Sequence, residues 1–146
     1  MILNRHNSEE KAAILRWLLL KVQRDGSYAY SAMLRDFGLG PVQAEVLLKL
    51  IEAGPLPMKE LAARLVCHSG NISRLVERMV REGLVSRAEA EHDRRIAVVA
   101  LTTTGRAMAE RIKPVSIEMN TRLAELLSPA EIDAGIHVLG KLAANN

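Results

Sequence analysis

The fold is decided by residues 58–101, which read MKELAARLVCHSGNISRLVERMVREGLVSRAEAEHDRRIAVVAL. The spacing of the apolar residues predicts a short helix over about 58–65 and a second helix over about 70–82. The connection between them is only about four residues long, and Gly83 can end the second helix as a left-handed C-cap. Two short helices joined by a tight turn, the second one rich in arginine, indicate a helix-turn-helix.

A β-hairpin is predicted directly after the second helix. Residues 84–87 read as a short strand, and residues 96–101, which are rich in β-branched side chains, read as its partner. Residues 88–95 between them are polar and charged and are expected to form the tip. A hairpin in this place is the wing of a winged helix-turn-helix, and its tip can reach the minor groove beside a helix in the major groove.

Longer apolar helices are expected before this segment. The first is predicted to begin near Ser8, whose hydroxyl can cap it, and to weaken or kink at Asp25-Gly26-Ser27. A second helical piece is predicted from Tyr28 to about Asp36. Another helix is predicted to start at Pro41 and to stop at Gly54-Pro55, because proline favours the first helical turn.

Two further helices are expected after the hairpin. One of the threonines at 102–104 can cap a helix over about 105–127, which Pro114 should bend or divide. Ser128-Pro129-Ala130-Glu131 combines a capping residue, a proline and an acid, and it predicts the start of a last helix that ends near Ala143.

Composition limits the class of protein. The chain has 146 residues, 49% of them hydrophobic and 25% charged, which fits one domain with a sizeable core. No apolar stretch is long enough to span a membrane, and the sequence has no secretion signal, no glycine-rich phosphate loop and no G-x-S-x-G motif. An enzyme is therefore not expected.

The single cysteine excludes an internal disulfide framework and favours the reducing cytoplasm. The four histidines are scattered, so neither a metal site nor a cofactor is predicted.

The positive charge of the chain is concentrated in one segment. Residues 58–106 hold nine basic and six acidic side chains, which accounts for the whole net charge of +3. Eight of the nine basic residues are arginines, the side chain best suited to bidentate contacts with phosphate and guanine. This concentration points toward nucleic acid.

The ordered motifs over residues 39–112 resemble the MarR family of winged-helix transcription regulators. The motifs are Ser73-Arg74-Leu75-Val76, Glu82-Gly83-Leu84-Val85, Asp93-Arg94-Arg95 and the Leu101-Thr102…Gly105 step. The resemblance implies a mainly α fold with a small β-wing and a single domain over 1–146. In that domain, residues 1–38 and 107–146 are dimerisation helices and residues 39–106 form the winged helix-turn-helix.

The resemblance also implies a homodimer that binds a pseudo-palindromic DNA operator, most commonly as a repressor. Many members lose affinity for DNA when a small aromatic or lipophilic effector binds between the dimerisation and DNA-binding parts. The terminal helices favour the dimer independently, since they carry more apolar surface than a small winged helix can cover. The alternative is a winged-helix module that contacts proteins and binds no specific DNA.

The resemblance places part of the second helix of the helix-turn-helix in the major groove. Asn71 could bond adenine, and Arg74 could reach guanine or phosphate unless it forms a surface salt bridge, for instance with Glu77. Arg78 fits a phosphate or structural contact better than base reading. The predicted contacts in this helix are Ser69, Gly70, Asn71, Ser73, Arg74 and Arg78.

In the wing, Asp93 is expected to orient Arg95, with Arg94 projecting beside it. One of the two arginines should enter the minor groove, where the potential is negative. The alternative is a solvated hairpin tip held by salt bridges.

Two interpretations are open for each of three other side chains, those of Trp17, Tyr28 and Cys67. Trp17 and Tyr28 could stack on an effector, or they could belong to the core or the dimer interface. Cys67 is expected to pack as a small apolar side chain rather than to act as a redox switch.

Overall fold

The computed structural model describes residues 2–66 and 71–145, with side chains from Asn7 onward. It is mainly α-helical with one small antiparallel sheet, which confirms the predicted fold class. In chain order the elements are α1 (Ile2–Leu34), a 3-10 turn (Arg35–Phe37), α2 (Pro41–Ala53), β1 (Leu56–Pro57), α3 (Met58–Arg64), α4 (Ile72–Arg81), β2 (Val85–Ala90), β3 (Asp93–Leu101), α5 (Thr103–Leu126) and α6 (Pro129–Ala144).

Helix α1 is continuous, so the predicted start near Ser8 and the predicted kink at Gly26 are both wrong. Two side-chain hydrogen bonds between residues four apart support this part of the helix: Lys21 donates to Asp25 just before Gly26, and Gln23 donates to Ser27 across it. Such pairs stabilise a helix locally and offset the low helix propensity of glycine. The helix therefore runs past Tyr28 to Leu34 before it tightens into the 3-10 turn.

Helices α2 and α3 follow the sequence prediction. Pro41 occupies the first turn of α2, and Gly54, at a φ of 78°, ends it. The buried side chains of α2, α3, α4 and the first half of α5 form one core with the end of α1 and the buried side chains of the sheet. Its largest fully buried members are Leu34, Val46, Leu47, Leu50, Leu61, Val76, Met79, Val85, Val99 and Ile112.

The sheet has the strand order β1-β3-β2, and the wing is longer than predicted. β2 runs to Ala90 and β3 begins at Asp93, so only Glu91 and His92 form the turn. Pairs such as Arg87 with Val99 and Glu89 with Ala97 continue the ladder through the region expected to be a loose tip. The short strand β1 was not predicted, and it pairs Leu56 with Val99.

A compact junction joins the wing to α5. Thr102 caps the helix by accepting the Gly105 N–H at 2.9 Å. Its hydroxyl lies 2.6 Å from the Gly83 carbonyl oxygen and 3.1 Å from that of Leu84, so it can donate to either. Gly105 is buried against the same Leu84 carbonyl, where an added Cβ would lie only 1.8 Å from the oxygen.

The last two helices extend beyond the core. Pro114 lies inside α5 without dividing it. The predicted cap of α6 is present, since the Ser128 N–H and hydroxyl both donate to Glu131 and lower the pKa of that carboxyl. No residue of α6 is buried within its own chain. None of the helices in the described part of the chain is long and apolar enough to cross a membrane.

Candidate nucleic-acid interface

The N-terminus of α4 is set by Asn71, whose side-chain oxygen accepts the Arg74 N–H at 3.2 Å. The helix therefore begins at Ile72 rather than near Gly70. A bidentate contact with adenine needs both the oxygen and the NH₂ of the amide. The cap thus competes with the base contact that the sequence suggested for Asn71. The predicted contacts Ser69 and Gly70, together with Cys67, lie outside the described residues.

Arg74 lies on the exposed face of α4, opposite the buried Val76 and Met79. Glu77, the alternative partner considered for it, instead lies 3.9 Å from Arg87 of β2. Over residues 2–66 and 71–145, no salt bridge involves the Arg74 guanidinium. Its charge is therefore available to an anionic partner.

Arg78 is held differently. Its Nε donates to Glu82 at 2.8 Å, one helical turn toward the C-terminus. The second oxygen of Glu82 accepts a hydrogen bond from Gln43 of α2, also at 2.8 Å. Sequence reasoning missed Gln43, although a glutamine at the third position of a helix can accept a hydrogen bond from the N–H of the N-cap residue, as Gln43 does from Gly40. Its distant partner gives no signal in the sequence.

The wing presents two adjacent arginines, Arg94 and Arg95, and the second of them is paired with Asp93. Asp93 accepts two hydrogen bonds from the Arg95 guanidinium, both at 3.1 Å, and one from the Arg95 N–H at 3.0 Å. The side-chain bonds and then the backbone bond lower the pKa of Asp93, and the Asp93 carboxylate raises the pKa of Arg95. The predicted pairing is therefore present, although both residues belong to β3 rather than to a loop.

The hydrogen bonds to Asp93 orient Arg95 without covering it, since the Arg95 side chain remains 90% exposed. Arg94 is exposed beside it. The ion pair between Arg87 and Glu77 links the wing to α4, which packs against β2. Exposed cations on a helix and on a neighbouring hairpin suit a polyanion with grooves.

The aromatic residues lie on a different face. Trp17 and Tyr28 are 59% and 72% exposed within the single chain, so they do not belong to its core. The effector site and the dimer interface remain the two interpretations of these residues. A cavity of about 390 Å³ lies between α1 and α5, and its aromatic wall is Tyr30. Tyr30 also lines a cavity of about 260 Å³ against α2. Tyr28 borders a separate hollow of about 280 Å³ along α1.

Comparisons with known proteins agree with this geometry. The sequence pattern of the MarR family matches residues 37–96. An uncharacterised HTH-type transcriptional regulator of Bacillus cereus is 32% identical over 68% of this chain and 67% of the relative. The fold is similar to that of AbsC, a MarR family transcriptional regulator from Streptomyces coelicolor, with a TM-score of 0.84, 25% identity and coverage of 91% and 92% of the two chains. It is also similar to a mutant MarR of E. coli complexed with operator DNA, with a TM-score of 0.79, 25% identity and coverage of 90% and 95%.

Proposed function

The chain belongs to the MarR family of DNA-binding transcriptional regulators, and from this premise we propose that it acts as a homodimeric repressor of a pseudo-palindromic operator. The observation that carries the proposal is the cationic surface shared by α4 and the wing. Arg74 has no acidic partner among the described residues, and Arg95 is fixed by Asp93 while its side chain stays 90% exposed.

In this proposal, α4 lies in the major groove and the wing lies over the adjacent minor groove. Arg74 reads a base edge, with Ser73 beside it, and Arg94 and Arg95 contact the minor groove and its phosphates. Asn71 acts first as the cap that orients the N-terminus of α4. Ser69 and Gly70 stay in the proposed contact set, and Arg78 takes a phosphate only when it leaves Glu82.

The dimer is proposed from the apolar faces that the single chain leaves exposed. Large hydrophobic side chains of α1, α5 and α6 are between about two-fifths and four-fifths exposed, which is unfavourable for an isolated soluble chain. Burying them against a second copy would place two α4 helices on one operator. The clearest examples are Ile14, Leu18, Ile117, Leu123, Leu126, Ile136 and Leu139.

We place a small aromatic or lipophilic effector in the cavity between α1 and α5. Its volume, about 390 Å³, falls in the range of small-molecule sites. Tyr30 supplies the aromatic wall, while Trp17 and Tyr28 lie outside that cavity and fit the dimer surface or the rim of the site. We propose that the protein works in the cytoplasm, with no catalytic step and no metal or other cofactor.

The test is fluorescence-anisotropy binding to duplex DNA from upstream of the gene, compared with random DNA over a salt series. We expect a preference of about a thousandfold or more and a steep fall of affinity with salt. A salt-dependent affinity with no preference would overturn the assignment of that upstream sequence as operator. Absence of binding to either duplex at low salt would overturn the regulator and favour the protein-contact module.

A further inference from the structure

Gln43 is a buried polar side chain at the contact between α2 and α4, and it is only 6% exposed. Both ends of its amide are used. Its oxygen accepts the Gly40 N–H at 2.9 Å, and its NH₂ donates to Glu82 at 2.8 Å. The bond from Gly40 holds the side chain at the start of its own helix, and the bond to Glu82 reaches α4. A buried amide that lost these partners would retain its desolvation cost, so the bond to Glu82 favours one arrangement of the two helices.

The bond from Gln43 reaches the end of the helix that reads DNA. Glu82 is the C-cap residue of α4, and its other oxygen accepts from Arg78 at 2.8 Å. One carboxylate therefore joins α2 to α4 and also draws the Arg78 side chain back along the helix. α2 in turn packs against α1 and α5, the helices whose outer faces are apolar.

Apolar contacts alone would restrict the orientation of α4 less strictly than they do together with a directional hydrogen bond. The buried Val76 and Met79 fix the distance between α4 and the core, but dispersion contacts depend weakly on direction. Hydrogen bonds are directional, and one at the C-terminal end of a ten-residue helix opposes its rotation and tilt. The cap at Asn71 acts within α4 itself and does not tie it to another element. Glu77 lies 3.9 Å from Arg87 of the wing, but both side chains are exposed, and exposed ion pairs contribute little.

We propose that Gln43 is a positioning residue for DNA recognition, which sets the orientation of α4 through its hydrogen bond to Glu82. The inference rests on the proposed function, since it concerns how selectively α4 reads a duplex. Loss of the Gln43 bond reduces the preference for the correct duplex by freeing the orientation of α4, while Arg78 keeps its own bond to Glu82.

The experiment compares Gln43→Met, Gln43→Glu and the double variant Gln43→Glu/Glu82→Gln with the native protein. Val46→Ala, a core truncation in the same helix, is the control for a general loss of stability. In the double variant, the new amide at position 82 can donate to the new carboxylate at position 43 and still accept from Arg78. The single Gln43→Glu change places two carboxylates in contact, which is unfavourable at pH 8.

The readout is the ratio of affinities for the upstream duplex and a random duplex of equal length, measured well below the unfolding temperature. We expect the ratio to fall about tenfold in both single variants, the factor that corresponds to one hydrogen bond to a charged group. The double variant should recover to within about threefold of the native ratio, and Val46→Ala should keep it. A native ratio in Gln43→Met, or no recovery in the double variant, would overturn the proposal.

Amide hydrogen exchange in the free protein tests the positioning step without DNA. Exchange at Glu82 and Gly83, whose N–H groups donate to carbonyls of α4, should quicken about tenfold in Gln43→Met beyond any change in Val46→Ala. Equal exchange in the two variants would overturn the positioning role. Because this readout needs no operator, failure of the proposed function and failure of this inference can be told apart.

Discussion

Replacing Gly105 by alanine tests the junction between the wing and α5. The added Cβ would lie 1.8 Å from the Leu84 carbonyl oxygen and 2.8 Å from the carbonyl carbon. Neither atom belongs to a flexible side chain, so the backbone of Leu84 or the start of α5 has to move by about 1 Å or more. The same carbonyl accepts from the Thr102 N–H at 3.2 Å, so that bond is strained as well.

The expected cost can be worked out from these contacts. Overpacking of a closed site costs about 1–3 kcal/mol, and loss of a hydrogen bond adds about 1 kcal/mol. Alanine returns about 1 kcal/mol through its higher helix propensity. We therefore expect Gly105→Ala to lower the free energy of unfolding by about 1–3 kcal/mol.

The assay is urea denaturation followed by circular dichroism at one fixed protein concentration. Gly26→Ala in α1 is the matched control, because its added Cβ meets nothing within 4 Å and it should gain up to about 1 kcal/mol. If Gly105→Ala were as stable as the control, the close approach of α5 to Leu84 would not be required for the fold, and the reasoning would be refuted.

Single substitutions test the exposed cations and the apolar faces. In anisotropy titrations, Arg74→Ala should weaken the preferred duplex by about 10- to 100-fold and random DNA much less, whereas equal losses would remove it from base reading. Arg94→Ala should weaken both duplexes and flatten the salt slope by about 1 per protomer, and an unchanged slope would contradict a phosphate contact. Asp93→Asn frees Arg95 and should weaken binding. In the native wing, the hydrogen bonds from Arg95 lower the pKa of Asp93, so its NMR titration should have a midpoint below the ordinary value of 3.8, and a midpoint at or above 3.8 would contradict the pairing. Leu126→Asp, at a side chain that is 80% exposed, should yield monomers in sedimentation and abolish preferred binding; a stable dimer would contradict the proposed interface.

Local signals in the sequence were sufficient to predict most of the helix boundaries. Pro41 and the Ser128 capping box predicted the starts of α2 and α6, because those signals act within one helical turn. The threonines at 102–104 predicted a cap for α5, and the structure shows that Thr102 provides it, since its hydroxyl accepts from a residue three positions on. The pairing of Asp93 with Arg95 was also predictable, since the two residues are neighbours along one strand.

Features that depend on distant partners were not predictable in this way. Ala88-Glu89-Ala90 has little strand propensity, yet pairing with β3 extends the wing through it. Strand β1 has only two residues and exists through its contact with Val98 and Val99. The bond between Gln43 and Glu82 joins residues 39 positions apart, and no periodic pattern marks it.

Because no residue of α6 is buried within its own chain, the amount of proposed dimer should depend steeply on the concentration of the chain. In the proposed homodimer, the last sixteen-residue helix gains a core only when two chains meet, so assembled molecules increase as the square of the free chain concentration. At low abundance, a twofold change in synthesis would then give about a fourfold change in assembled protein. The amount of dimer would therefore change more steeply than the amount of chain synthesised, before any effector binds.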